Sequence, residues 1–291
     1  MFYCKNCKKV LSLRQQTSLS KEWRFDTIEN FFKETQEVYP DPIRCSQCSE
    51  LLDKYALTEI GMYHHFPHRK QGTGTNFHSM YKKRANIYHQ FSLAEDQEGL
   101  ILQKIIDLSV GANTLLDIGC GTGKYVNQLS EVFKKIYALD NSSELLTFAR
   151  KNNKKISNIE YLLADAAHIP LLDKSVDVII STWGSFSPNE TVHEMKRVLS
   201  DSGIIIRIGI TALDDLTEFF GEFDKKYVSE NNDYFALLGF ATEYMKINVT
   251  FDTLAEAKHV IAAITGKPMN TITQKTLIHK VIVQTYKKPT N

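Results

Sequence analysis

Four of the five cysteines form two closely spaced pairs, Cys4 with Cys7 and Cys45 with Cys48, each of the form Cys-x-x-Cys. In a reducing compartment, two such pairs favour a structural metal site over disulfides. Four thiolates supply the closed tetrahedral shell that Zn²⁺ accepts. The spacing therefore predicts a structural Zn²⁺ held by these four cysteines. A redox pair and four unrelated buried cysteines are the alternatives.

The two cysteine pairs are separated by 37 residues, whereas a zinc ribbon usually has roughly 15–20. A helical insertion accounts for the excess, because Asp26 offers an N-cap with Glu29 three residues on, and apolar residues continue at helical spacing to Val38. Prolines at 40 and 42 would then end the helix. We predict a zinc-binding module over residues 1–60, followed by a linker and lead-in helix over 61–98.

A second chemical signature is a glycine-rich turn, Asp117-Ile-Gly-Cys-Gly-Thr-Gly123, between a predicted strand and a predicted helix. Such a turn lets a ligand approach the backbone closely and places it at a helix N-terminus. A dinucleotide-binding fingerprint would require glycine at position 124, where this chain has Lys124. Instead, the third glycine comes one residue early and an acid precedes the first glycine by two residues.

At this turn the sequence resembles the class I S-adenosylmethionine-dependent methyltransferases, and the resemblance continues in family order over about residues 77–210. The matching motifs lie at residues 117–123, 136–140, 159–165, 169–180 and 194–206. The resemblance implies an α/β fold, a Rossmann-like, seven-stranded, mostly parallel sheet with helices on both faces. The small zinc-ribbon-like module would precede it.

The same resemblance implies S-adenosylmethionine as the cofactor. Asp140 would accept hydrogen bonds from both ribose hydroxyls, and an ionised acceptor makes stronger bonds than a neutral one. Asp165 would take the adenine amino group, and Asp117 would orient the turn and the methionine amine. A helix cap or a surface carboxylate is the alternative for each acid. The predicted cofactor-binding residues are Asp117, Gly119, Gly121, Gly123, Asp140, Asn141, Asp165, Ala166 and Ser181.

Methyl transfer in this family resembles an in-line displacement, in which the protein mainly positions the acceptor and excludes water. Only some acceptors need a general base. Trp183 follows the fourth strand and could stack on a planar acceptor or belong to the core. Cys120 is interpreted as a small packing residue. The candidate bases, which the sequence does not rank, are His64, His65, His78 and His89.

Periodicity predicts the elements that flank the motifs. A helix over 97–108 precedes the first core strand, and alternation predicts strands over 244–251 and 277–286 with a helix over 254–265 between them. The last strand is indicated by the branched apolar residues Ile278, Val281 and Val283. The methyltransferase domain is thus predicted over residues 99–291, with a substrate cap at about 211–275.

Composition narrows the class of protein. With 43% hydrophobic and 24% charged residues and a net charge of +1, the chain is typical of a globular protein, not of a disordered or membrane-spanning one. The N-terminal residues lack the features of a signal peptide, so we expect a cytoplasmic protein with no membrane partner. Residues 1–90 carry 14 Lys/Arg against 9 Asp/Glu, and the rest carry 21 against 25.

Three functions remain. A small-molecule methyltransferase acting on an O, N or C nucleophile is favoured, because the motif order is similar to the quinone-biosynthesis methyltransferases and the weak basic charge suits RNA phosphates poorly. The zinc module would then be a lid or a homodimer contact. An RNA base methyltransferase is the alternative, because a zinc module before this core is reminiscent of the rRNA guanine methyltransferases. A non-catalytic cofactor-binding protein is the third possibility.

Overall fold

The computed structural model describes residues 2–4, 6–7, 9–11, 44–45, 48–52, 57–59, 77–184, 188–211, 214–215, 222–265 and 268–288. The chain divides into two compact units, one formed by Met1–Gly72 with Glu230–Gly239 and the other by Thr73–Ser229 with Phe240–Asn291. The helix predicted near residues 26–38 lies outside the described residues.

The first unit contains a small antiparallel sheet in the order β2-β1-β3. Its strands are β1 (Phe2–Cys4), β2 (Lys9–Leu11) and β3 (Leu57–Glu59). Cys4 ends β1 and pairs with a residue on each neighbouring strand. The chain turns at residues 6 and 7 between β1 and β2. A second turn follows Arg44, which forms a bridge to Leu51. One cysteine pair therefore lies at each of two turns.

The second unit is built on a seven-stranded sheet in the order β6-β5-β4-β7-β8-β10-β9. The four neighbouring pairs from β6 to β8 are parallel, and β10 runs antiparallel to both of its neighbours. This confirms the predicted seven-stranded, mostly parallel sheet. The strands are β4 (Thr114–Ile118), β5 (Lys135–Asp140), β6 (Ile159–Leu163), β7 (Val176–Thr182), β8 (Leu199–Ile210), β9 (Ala241–Thr250) and β10 (Thr276–Lys287).

The helices in the described residues are α1 (Phe77–Ala94), α2 (Leu100–Leu108), α3 (Lys124–Leu129), α4 (Ser143–Asn152), α5 (Pro188–Val198), α6 (Glu222–Leu237) and α7 (Leu254–Thr265). Of these, α1 and α2 precede β4 and the other five lie in connections between the strands of the large sheet. Among the described helices, none combines the length and the apolar character that crossing a membrane would require. A short 3₁₀ turn (Met269–Thr271) leads from α7 towards β10.

Within the described residues, two apolar clusters pack the second unit together. The larger joins Ile101 and Ile105 of α2 to the central strands, and the smaller packs α1 and α7 against β9 and the start of β10. Ile101 and Ile105 are completely buried, and burying each such side chain contributes about 1.5–3 kcal/mol. Because the strands of the sheet contribute residues to these clusters, packing holds them in place. The residues at the strand ends therefore have defined positions.

One expectation about an individual element is wrong. The helix predicted from Gln97 begins at Leu100, because Gly99 is left-handed and the Asp96 carboxylate accepts the N–H of Ile101 at 3.0 Å as a cap. The last strand, predicted over 277–286, is observed as β10 (Thr276–Lys287). Its alternation leaves Ile278 46% exposed and places the next residue on the inward face.

Candidate functional site

The glycine-rich turn between β4 and α3 is held in a conformation that only glycine adopts easily. Gly119, Gly121 and Gly123 have φ values of 74°, 56° and 80°, in the left-handed region where a side chain causes strain. The N–H groups of Gly119 and Cys120 donate to the carbonyl of Leu139 on β5, at 2.8 and 3.0 Å. The turn is therefore tied to the neighbouring strand.

Asp140, at the end of β5, shapes this turn directly. Its side chain is 7% exposed, and its two oxygens accept the N–H groups of Gly121 and Ser142, each at 2.9 Å. Ser142 in turn caps α4 by accepting the N–H of Leu145. An ionised carboxylate can accept several hydrogen bonds, so the end of β5 offers an acceptor for a ligand diol.

Asp117 is a buried carboxyl group beside the turn. It is 1% exposed, and its Oδ1 has no hydrogen-bond partner among the described residues. Burial, together with the negative charge of Asp140, raises the pKa of Asp117 to about 8. A buried polar atom without a partner is costly, and a ligand cation would remove the cost. The pair of carboxyl groups thus fits a ligand that brings an amine and hydroxyl groups, as S-adenosylmethionine does.

The other predicted cofactor-binding residues differ from one another in burial and in position. Asp165 is exposed just beyond β6 and accepts the N–H of Ala167 at 2.9 Å, so it shapes its own turn. Asn141 is exposed and Ala166 is half-buried. These three lie at the carboxyl ends of the parallel strands with Asp117 and Asp140. Ser181 differs, because it is fully buried within β7 and donates its hydroxyl to the carbonyl of Ile118 at 3.0 Å.

Helix α1 brings two rings to the glycine turn. The Nδ1 of His89 lies 3.0 Å from the hydroxyl of Thr122, and its ring packs on Phe148 with the centroids 4.8 Å apart. Burial lowers the pKa of His89, which favours the neutral ring. Tyr88 lies against Gly121, where a Cβ would be 3.4 Å from the tyrosine ring. His89 is therefore the one predicted base candidate that the described residues place at the turn.

The remaining base candidates are not placed beside it. His64 and His65 lie outside the described residues, and His78 lies in α1 with its side chain outside them. Trp183 is described and half-buried, with a left-handed φ of 60°. Its ring packs at 5.1 Å from the ring of His279. The assignments of these candidates stay predictions.

His279 and its partner Asp214 were not predicted from the sequence as site residues. The imidazole Nδ1 lies 2.8 Å from a carboxylate oxygen of Asp214, and both side chains are fully buried. One signal could have found the histidine, because Leu277 and Val281 flank it at the same face of a strand with alternating burial. A polar residue at an inward position of an apolar strand points to a specific partner.

Glu95 and Lys124 are two further ionisable residues whose pKa values are shifted. Glu95 is 5% exposed, and burial raises its pKa to about 7 although the Lys124 charge opposes this. The Lys124 ammonium donates to the Glu95 backbone carbonyl, and burial lowers its pKa. Since Lys124 is the first residue of α3, the helix that follows the glycine turn begins on a half-buried lysine.

The predicted metal site is assembled in the first unit. The ligand sulfurs of Cys4, Cys7, Cys45 and Cys48 lie within 4.8 Å of one another, and no disulfide joins them. Cys4 and Cys48 are 3.8 Å apart, and Cys7 and Cys45 are 3.7 Å apart. The edge of a tetrahedron with Zn–S bonds of about 2.3 Å is about 3.8 Å. The cluster could therefore hold a tetrahedral metal ion.

Residues 116–207 match a family model described as a methyltransferase domain. The chain is 27% identical over 154 residues to the malonyl-[acyl-carrier protein] O-methyltransferase of Hamiltonella defensa, covering 51% of this chain and 58% of that protein. It is 32% identical over 145 residues to the protein of the same name from Yersinia pestis, covering 47% and 52%. The chain thus spans about half the length of these relatives.

Among solved structures, the YcgJ protein of Bacillus subtilis is similar over 65% of this chain and 98% of its own, with a TM-score of 0.48 and 18% identity. The fold of the second unit rests on its strand order and on the pairing of its strands.

Proposed function

We propose that this chain, whose second unit carries a class I S-adenosylmethionine-dependent methyltransferase domain, transfers a methyl group to a small-molecule acceptor. The observation that carries the proposal is the glycine turn beside two buried carboxyl groups, those of Asp117 and Asp140. A dinucleotide is disfavoured because Lys124 stands where the dinucleotide-binding fingerprint has its third glycine. A ligand with a cationic amine and a ribose diol meets acceptors that match it.

Each residue then has a role in binding. Asp117 would accept the methionine amine, and the carboxylate of Asp140 would accept the ribose hydroxyls. Asp165, with Ala166, would hold the adenine amino group and ring. When bound, the cofactor supplies an electrophilic methyl group. The chain itself contributes position and exclusion of water, because the rings of Tyr88 and His89 cover the turn.

Two observations support a small acceptor. The relatives reported above are named for O-methylation of a malonyl group carried on acyl-carrier protein. Trp183 and His279 each have a buried ring nitrogen with no hydrogen-bond partner among the described residues. Polar atoms so withdrawn from solvent suit an enclosed pocket for a small molecule better than the open groove that a polynucleotide needs.

We also propose that the four-cysteine cluster binds a structural Zn²⁺, on the strength of its sulfur spacing. The domain limits at residues 1–60, 61–98 and 99–291, the substrate cap at about 211–275, the cytoplasmic location and a homodimer contact stay predictions. The cysteine cluster is also the one observation that favours the second candidate, an RNA base methyltransferase, because zinc modules can accompany such domains.

The test is transfer from methyl-labelled S-adenosylmethionine, offered separately to malonyl-acyl-carrier protein, to a small-metabolite extract and to total RNA. We expect label in malonyl-acyl-carrier protein or in the metabolite extract and none in RNA, with loss of label in the Asp140→Ala variant. Label confined to RNA would establish the second candidate. Tight cofactor binding without transfer to any of the three would indicate a non-catalytic binding protein.

A further inference from the structure

A histidine and an aspartate form a fully buried pair near the carboxyl ends of the parallel strands. The Oδ2 atom of Asp214 lies 2.8 Å from Nδ1 of His279 and also accepts the N–H of Lys280 at 2.7 Å. A carboxylate only accepts hydrogen bonds, so Nδ1 must donate. In the neutral ring, Nε2 then presents a lone pair, which is the tautomer of a general base.

The Nε2 atom of His279, which carries this lone pair, is buried. Within the described part of the chain, no group lies in hydrogen-bonding position to Nε2 of His279. The residues before and after it on the inward face of β10, Leu277 and Val281, belong to the two apolar clusters. An unpartnered acceptor in such surroundings destabilises the folded protein, because its lost hydrogen bond to water is not replaced. The cost indicates that a ligand donor completes the pair.

Trp183 supplies the complementary group. Its indole nitrogen, which can only donate, is buried and also lacks a partner among the described residues. Its ring lies against that of His279, and its backbone is held in the left-handed region, where a bulky residue is strained. A donor and an acceptor, both unmatched, therefore lie on two packed rings. A hydroxyl group can satisfy both, because it donates one hydrogen bond and accepts others.

The pair is also close to the glycine turn. Gly184 follows Trp183, and its Cα lies 3.7 Å from the position of a Cβ on Gly119. Glu95, the buried residue whose carbonyl binds Lys124 at the start of α3, lies near enough to His279 that a protonated imidazole would lower its pKa. The backbone beside Trp183 thus touches the turn proposed to hold the cofactor, which places the histidine where an acceptor would lie.

We propose that His279 is the general base for an acceptor bearing an O–H nucleophile, and that Asp214 is the positioning residue that fixes its tautomer. This inference rests on the proposed function. As the acceptor oxygen bonds to the methyl carbon, the bond from that carbon to sulfur breaks and its electron pair stays on sulfur. The O–H proton passes to Nε2, the O–H electron pair stays on oxygen, and solvent later removes the proton from the imidazolium.

A hydroxyl acceptor needs a general base, whereas a carboxylate acceptor does not. A malonyl carboxylate is already deprotonated at neutral pH, so it has no proton for Nε2 to accept. A carboxylate could bind the indole N–H but would leave the histidine lone pair unmatched. The inference therefore predicts a hydroxylated acceptor, in contrast to the malonyl group in the names of the relatives.

The first measurement needs no acceptor. Long-range ¹H–¹⁵N NMR of the full chain with ¹⁵N-labelled histidine, assigned with His279→Gln, reports which ring nitrogen of His279 carries the proton. We expect the Nδ1–H tautomer in the wild type and its loss in Asp214→Asn. An Nε2–H tautomer in the wild type would overturn the inference, and it would do so whatever the methyltransferase activity.

The second measurement uses the extract fraction that takes up label, with malonyl-acyl-carrier protein as the comparison acceptor. His279→Gln should lower kcat by about 100-fold or more, the range for loss of a general base. The cofactor Kd should stay within about twofold of the wild-type value. His259→Gln, which changes an exposed histidine of α7, is the matched control and should keep full activity. Trp183→Phe should mainly raise KM.

The outcomes distinguish the two claims. Label transfer that survives His279→Gln within about threefold, or transfer to malonyl-acyl-carrier protein alone, would overturn the inference and leave the proposed function standing. No transfer to any small acceptor would remove both. If His279→Gln fails to fold, Asp214→Asn gives the same test with a smaller expected loss of about tenfold in kcat, since the ring remains without its fixed tautomer.

Discussion

The carboxylate of Asp140 accepts the backbone N–H of Gly121 at 2.9 Å. This bond joins the end of β5 to the turn that follows β4, the neighbouring parallel strand. The acid proposed to bind the cofactor ribose is therefore also the group that holds the glycine turn in shape. Any change at Asp140 alters the ligand contact and the turn together.

Replacing Asp140 with Ala should weaken S-adenosylmethionine binding by about 1.5–3 kcal/mol, or roughly 10- to 150-fold in Kd, the size of a lost charge-assisted hydrogen bond. Calorimetry measures the change. Asp107→Ala, which removes an exposed carboxylate of α2, is the control and should leave the Kd unchanged. A Kd for Asp140→Ala within twofold of the wild-type value would show that Asp140 does not contribute to binding.

Replacing Asp117 with Asn should stabilise the ligand-free protein, and more so as the pH rises. The folded-state pKa of about 8 lies above the ordinary value of 3.8, so the folded state favours the protonated acid. Its contribution to stability is complete below about pH 4 and is lost as the pH rises towards 8. Asn stays neutral throughout and avoids this loss.

Thermal unfolding of both proteins between pH 4 and pH 8.5 measures the effect. We expect nearly equal Tm values at pH 4 and a Tm about 3 °C or more higher for Asp117→Asn at pH 8, equivalent to about 1 kcal/mol. The same variant should bind the cofactor more weakly, because it lacks the charge for the methionine amine. Parallel Tm curves across the pH range would refute a raised pKa at Asp117.

Gly123 and Gly111 allow backbone strain to be separated from packing. Both are left-handed, with φ values of 80° and 83°. A Cβ on Gly123 would lie 2.8 Å from the side-chain amide nitrogen of Asn153, whereas a Cβ on Gly111 would meet nothing within 4 Å. Gly111→Ala should therefore cost only the backbone penalty of about 1 kcal/mol, and Gly123→Ala should cost about 1–3 kcal/mol more.

Urea unfolding of the two variants gives the free energies of unfolding. Gly123→Ala should also weaken cofactor binding, because the turn must shift to admit the methyl group, and Gly111→Ala should leave binding intact. Equal losses of stability would mean that the contact with Asn153 relaxes without cost and that φ alone decides both positions.

The cysteine cluster predicts a metal content. Purified protein should contain about one zinc per chain, measured by elemental mass spectrometry, and Cys45→Ser should lose most of it because three thiolates leave the tetrahedral shell open. Cys120→Ser is the control, since Cys120 lies in the glycine turn outside the cluster. Retained zinc in Cys45→Ser, or no zinc in the wild type, would argue against the proposed site.

Much of the second unit was predictable because its signals are local. The strand, glycine turn and helix around residues 114–129 follow one another in the chain, and the left-handed glycines are required by the turn itself. The start of α2 was mispredicted for a local reason as well. Apolar periodicity does not reveal that the Asp96 side chain caps the helix three residues later than the pattern suggests.

By itself, the sequence determined the cysteine pairs, the glycine turn and the acids that follow successive strands, because each depends on residues within a few positions of one another. Only the tertiary structure decided that Cys4 faces Cys48, and that Asp214 meets His279 across 65 positions. The contact between Asp214 and His279 depends on the insertion of β10 between β8 and β9, and a pairing of distant strands leaves no local pattern in the chain.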